Sequence, residues 1–151
     1  MRELFCSLTT LSFLVFPLLA GQPPASPYGV CAHLSRGGEA ETQVEELNLM
    51  KQAGIAWART DFDWSEVQPS PDTWAFDKLD TVVSNAEKAG VQMLPILGYS
   101  VSFASPAHQH LDPWAKYVRA LAEHFGPRLP VLEVWNEENI PGFWKDPKAE
   151  D

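Results

Sequence analysis

Residues 91–98 read Val-Gln-Met-Leu-Pro-Ile-Leu-Gly, apolar almost throughout and preceded by Gly90. A strand with no polar face is one covered on both sides, as strands are in a parallel sheet. Upstream, Phe76, Leu79, Val82, Val83, Ala86 and Ala89 follow the spacing of one helix face, and Gly90 ends that helix. Downstream, a long loop from Tyr99 to Asp112 leads to Trp114, Tyr117, Val118, Leu121, Ala122 and Phe125. These form the clearest amphipathic stripe in the chain, closed by Gly126-Pro127. Further out the alternation continues. Ile55–Asp61 and Val131–Asn136 read as strands, and so does Tyr28–His33. Glu39–Ala53 reads as a helix with Val44, Leu47 and Met50 on one face, acids near its positive end, and Gly54 as its stop.

The order is strand then helix three times over, then a strand, with the spacing of βαβ units. Parallel strands covered by helices make either an open doubly wound sheet or a barrel. No glycine-rich phosphate loop follows the first strand, which argues against a dinucleotide-binding sheet. The chain has 151 residues. A complete (β/α)8 barrel takes roughly 250. The expectation is therefore an α/β fold of the parallel (β/α) barrel type, an incomplete half-barrel with about four βα units, over residues 28–151.

Composition bounds the function. Hydrophobic residues make up 45% and charged residues 21%, as in a globular protein. Eleven basic against 20 acidic residues leave a formal net charge of -9. Such a chain has no basic stripe for phosphates, so no nucleic-acid partner is expected, and no stable membrane association. Residues 1–20 contain a short apolar run, Leu8–Leu19, ending in Ala20-Gly21, and read as a signal peptide. Residues 21–27 are a proline-rich linker. The expected location is secreted or periplasmic. Removing the leader would take Cys6 with it and leave Cys31 without an intrachain partner; in a strand, Cys31 is expected to be a small buried hydrophobe.

In either parallel architecture, functional residues gather at the carboxyl ends of strands. That rule nominates His33, then Arg59 and Asp61, then Tyr99, then Asn136 and Glu137. Trp64, Trp74 and Phe103, on the loops of the same end, could stack on sugar rings. His108, His110, Asp112 and His124 are too loosely spaced for a metal motif, and Asp61-Phe62-Asp63 matches one at only two residues, so no metal is expected. The sharpest signal is Trp135-Asn136-Glu137-Glu138-Asn139, after an apolar strand. Glycoside cleavage needs a carboxylic acid beside the leaving oxygen and a second carboxylate as base or nucleophile. A glutamate in a partly buried mouth at a strand end can serve as that acid.

At these residues the sequence resembles the clan A glycoside hydrolases, (β/α)8 barrels that cleave with retention, and most nearly their β-xylosidase-like and endoglycosidase-like families. Val134-Trp135-Asn136-Glu137-Glu138-Asn139 is similar to W-N-E-P-N. Trp64-Ser65-Glu66-Val67-Gln68-Pro69 is similar to W-x-x-[IV]-[EQ]-P. The segment Asp72–Asp80 is similar to G-x-[YF]-x-[WF]-x-x-[LY]-D, and Leu94–Tyr99 to the third strand. The resemblance covers about Tyr28 to Trp144, with the motifs in order.

The resemblance implies hydrolysis of O-glycosidic bonds by two carboxylates, with no cofactor and with an oligosaccharide or polysaccharide as substrate. It implies that Glu137 is the general acid/base and that Asn136 binds the hydroxyl next to the scissile bond. Arg59 would support the nucleophile electrostatically, and Trp64, Tyr99 and His33 would line sugar subsites. Two departures matter. Glu138 stands where the family has proline, and the family's nucleophile lies on a seventh strand, beyond the four strands read here. A second reading is therefore a non-catalytic carbohydrate-binding relic or an inactive fragment. Open sheet edges also make self-association an expectation.

Overall fold

The computed structural model describes residues 26–36 and 40–145. The leader-like segment 1–20, most of the linker, and the tail with Glu150 lie outside the described residues. Among the described residues the strands and α-helices follow in the order β1 (Gly29–Cys31), α1 (Ala40–Gln52), β2 (Trp57–Asp63), α2 (Trp64–Val67), α3 (Asp77–Ala89), β3 (Gln92–Gly98), α4 (Leu111–Phe125) and β4 (Glu133–Val134). All pairings are parallel, and the sheet order is β1-β2-β3-β4. Sequential order separates the two architectures left open by the sequence. A doubly wound sheet reverses direction at a switch point, whereas a barrel sheet runs on in one sense. The half-barrel expectation is met.

Local chemistry explains the boundaries. Gly29 lies so close to β2 that a Cβ there would sit 2.9 Å from Trp57 Cβ, so only glycine permits the first pairing. Gly90 has φ 71° and its N–H caps the last carbonyls of α3, at Ala86 and Glu87. The fourth strand is shorter than Val131–Asn136. Pro130 cannot donate to a ladder, and Trp135 turns into the left-handed region at φ 65° after giving one last bond, N–H to Leu97 O at 2.8 Å. The second strand runs two residues further than expected, because Asp61, Phe62 and Asp63 stay in register with Ile96, Leu97 and Gly98.

Alternation divides the sheet into two faces. Ala58, Thr60 and Phe62 of β2, with Met93 and Leu97 of β3, point toward the helices and are buried. They meet Leu47 of α1, Leu79, Val82, Val83 and Ala86 of α3, and Tyr117, Leu121 and Phe125 of α4 in one core. The other face carries Cys31, Arg59, Asp61, Leu94, Ile96 and Glu133, which the register places in neighbouring rows. A row of polar groups is thus held on the inner face of the half-barrel.

Cover over the helix-side face stops at β4. Val134 is 62% exposed although its register partner Leu97 is wholly buried. No helix among the described residues is long and apolar enough to cross a membrane.

Candidate active site

Two polar clusters occupy the inner face and its carboxyl end. The first is built around Arg59. Its Nε donates to Glu133 Oε2 at 2.7 Å and its Nη2 to Glu133 Oε1 at 2.6 Å, a bidentate pair between β2 and β4. Nη2 also donates to Asn136 Oδ1 at 2.8 Å. The hydrogen bonds Arg59 donates to Glu133, working against partial burial, raise the guanidinium pKa above its already high value. Arg59 is therefore a fixed cation that fixes the Asn136 amide. With Oδ1 engaged, the Nδ2 group of Asn136 is left to donate to a ligand.

Glu137 follows at once. Its backbone is left-handed, φ 56°, and its residue is exposed. The partly buried mouth expected from the sequence is not formed by the described residues. The turn is closed by Ile140 N–H on Glu137 O at 3.0 Å. His33, Trp135 and Glu137 are the three non-glycine residues with positive φ among the described residues, and all three lie at the carboxyl ends of β1 or β4. Such conformations cost about 1–3 kcal/mol each and persist where surrounding contacts impose them.

The second cluster is centred on Asp61, which is 2% exposed. Its carboxylate meets His33 Nδ1 at 2.8 Å, Arg36 Nη2 at 2.8 Å and the Tyr99 hydroxyl at 2.9 Å. Burial opposes ionisation, but the bonds from His33 and Tyr99 and the Arg36 charge outweigh it, holding the carboxyl below its usual range. Tyr99 responds in the opposite sense: burial and its bond to Asp61 push the phenol up to about 12. The unfolded phenol titrates near 10. The stability this group contributes is therefore fully present below about pH 10 and lost as pH rises toward 12. The checking measurement is denaturant unfolding between pH 9 and pH 12. Tyr99→Phe is expected to flatten the loss over that interval.

The structure thus gathers Asn136 with Arg59 in one cluster, His33 with Tyr99 in the other, and sets Glu137 beside the first. Trp64 is different and must be corrected. It is wholly buried, with its ring stacked on Tyr117 at 5.4 Å and edge-on to Trp114 and Phe103. Its Nε1 donates to buried Gln68 at 2.8 Å. It has no face to give to a sugar. The reason is that residues 64–67 form helix α2, capped by Asp63, rather than an open loop. Phe103 packs on Trp64 and Trp74 stacks on Phe76, and both are half-buried. Cys31 is corrected in the other direction: it is exposed on an edge strand, not buried. Of the loosely spaced histidines, His108 stacks on Trp144 and His124 pairs with Asp80.

Glu133 and Arg36 were missed. Glu133 did leave a signal, because a lone charge within Val131-Leu132-Glu133-Val134 needs a partner. Arg36 sits in a polar loop where nothing in the sequence marks it.

Comparison with known proteins agrees with this architecture. Residues 36–107 match the model of glycoside hydrolase family 42, described as β-galactosidase. The chain is 25% identical to the β-galactosidase LacZ of Heyndrickxia coagulans over 127 residues, which cover 65% of this chain and 19% of LacZ. In fold it is similar to a family 39 glycoside hydrolase from the gut symbiont Bacteroides cellulosilyticus WH2. The TM-score is 0.62 at 25% identity, covering 73% of this chain and 24% of that one. The β-galactosidase of the psychrophilic Marinomonas ef1 superposes with TM-score 0.57 at 18% identity, covering 71% and 21%. The chain thus spans 19% to 24% of the length of these relatives. On sequence and on fold together, the chain is similar to the clan A glycoside hydrolases and matches a part of their barrel.

Proposed function

We propose that the protein built on this half-barrel hydrolyses O-glycosidic bonds in a carbohydrate with retention, using Glu137 as general acid and then general base. The observation that carries the reading is the Arg59 bridge. Arg59 on β2, itself clamped by the Glu133 carboxylate on β4, donates to Asn136 Oδ1, and Glu137 is the next residue. An amide fixed in this way can donate to a sugar hydroxyl at constant geometry, and such bonds strengthen in an oxocarbenium-like transition state. Glu137 donates a proton to the leaving oxygen in the first step and takes one from water in the second. The nucleophilic carboxylate comes from outside the described residues. No metal or organic cofactor enters this chemistry, because two carboxylates suffice.

The matched β-galactosidase family and relatives favour a β-linked sugar as substrate. His33 and Tyr99, oriented by Asp61, lie on the neighbouring strands at the same end and supply further polar contacts. Export through the leader-like segment 1–20 fits a polymeric substrate outside the cell.

The half-site can be tested in this chain directly. Titration with methyl β-galactoside to about 100 mM, followed by amide and side-chain NMR, is expected to shift the Asn136 Nδ2 protons, the Arg59 Nε proton and the Tyr99 ring. Half a barrel buries little of a sugar, so affinity in the millimolar range is expected. Shifts confined to other surfaces would contradict the assignment. A non-catalytic binding relic would give the same shifts, but a protein completing the barrel would show no turnover.

A further inference from the structure

Cys31 is the last residue of β1, and its side chain shares a row with Arg59 on the inner face. The thiol is exposed. Its Sγ lies 3.5 Å from His33 Nε2 and 3.5 Å from Arg59 Nη1. On the far side of the ring, His33 Nδ1 lies 2.8 Å from Asp61 Oδ2. Asp61 is buried and already accepts from Tyr99 and Arg36, so its oxygens act as acceptors toward the ring. A proton held on Nδ1 leaves Nε2 as the free base facing the thiol. Thiol, imidazole and carboxylate therefore stand in line, in the order that activates a cysteine nucleophile. The Arg59 guanidinium on the other side offers a cation to a sulfur anion. Chain topology produces the arrangement: Cys31 and His33 are two residues apart at one strand end, and Asp61 comes from the adjacent strand.

We propose that Cys31, His33 and Asp61 form a base-assisted thiol site that exchanges with low-molecular-weight disulfides. His33 Nε2 takes the thiol proton as Sγ attacks one sulfur of the disulfide. The S–S bond of the reagent breaks, its second sulfur leaves as a thiolate, and that thiolate takes the proton back from His33. The products are a mixed disulfide on Cys31 and one free thiol, with no net oxidation. The adduct sits beside Arg59, the residue that holds Asn136, so modification places a group at the edge of the candidate sugar site. The proposal does not depend on glycoside hydrolysis.

The test uses the full chain with Cys6→Ser, so that Cys31 is the sole thiol. The probe is bis(2-hydroxyethyl) disulfide, whose neutrality removes steering by the protein's net negative charge. Rates at pH 7 are read by mass spectrometry beside a short unstructured peptide with one cysteine. The expected result is a rate at least about tenfold above the peptide. His33→Asn keeps a residue tolerant of the left-handed backbone but supplies no base. It is expected to return the rate to that of the peptide while the thermal midpoint and circular dichroism stay folded. A parent rate no greater than the peptide's overturns the proposal, whether or not the variant folds. A folded His33→Asn protein reacting as fast as the parent overturns it too.

Discussion

Trp64→Ala is expected to destabilise the chain by about 3–5 kcal/mol, the range for truncating a buried aromatic. The Trp64 ring is fully buried at the junction of β2 and α4, stacked on Tyr117 and in edge contact with Trp114 and Phe103. Its removal leaves a large cavity and strips buried Gln68 of the donor to its Oε1, while Gln68 Nε2 remains tied to Pro71 O. Both terms act in the same direction. Native domains hold only about 5–15 kcal/mol in total, so the loss approaches the whole stability of a small half-barrel. A drop of roughly 10–15 °C in the thermal midpoint is expected. Trp64→Phe retains much of the ring area and loses only the indole donor, so it should fall between parent and alanine variant. The measurement is a thermal melt followed by near-ultraviolet circular dichroism. An alanine variant that melts with the parent, but binds sugar less well, would make Trp64 a ligand contact and refute its place in the core.

The second large effect concerns chemistry. In a protein completing the barrel, Glu137→Gln is expected to lower turnover of glycosides with poor leaving groups by about 10²–10⁴, the usual contribution of a positioned acid or base. The size should depend on the aglycone. A nitrophenolate needs little protonation to leave, so formation of the covalent intermediate survives, whereas its hydrolysis loses the base that activates water. A burst of nitrophenol followed by slow turnover is the expected trace. Stability should change little, because residue 137 is exposed and glutamine meets the same left-handed backbone as glutamate. A variant that keeps full turnover on both aryl and alkyl glycosides would remove Glu137 from the mechanism.

How much of this was legible in the sequence differs from residue to residue. The almost wholly apolar run at 91–98 marks a strand covered on both faces, the stripe from Trp114 to Phe125 imposes a helical period, and both elements stand close to where these patterns put them. Local patterns do not separate open from barrel sheets; the barrel reading rests on the missing phosphate loop and the family motifs, and the sequential strand order bears it out. Asn136 and Arg59 were legible as polar groups at strand ends. Their mutual contact was not, since it spans 77 positions and depends on Glu133. Trp64 misled because position after a strand says where a residue starts and not which way it turns. Four residues of helix suffice to fold the indole inward. Cys31 misled for the converse reason: a strand buries its small side chains only when both faces and both edges are covered, and β1 is an edge.

The central claim, that Glu137 is the acid/base of a retaining glycosidase site, is tested most directly by adding azide to Glu137→Gln in a protein completing the barrel, with nitrophenyl β-galactoside as substrate. With the carboxylate gone, the covalent intermediate has lost its general base and its anionic guard, so a small anion can attack in place of water. The account predicts that azide restores turnover and yields a β-galactosyl azide, the anomeric configuration of the substrate. Absence of rescue in a folded variant, or an α-configured product, would contradict it.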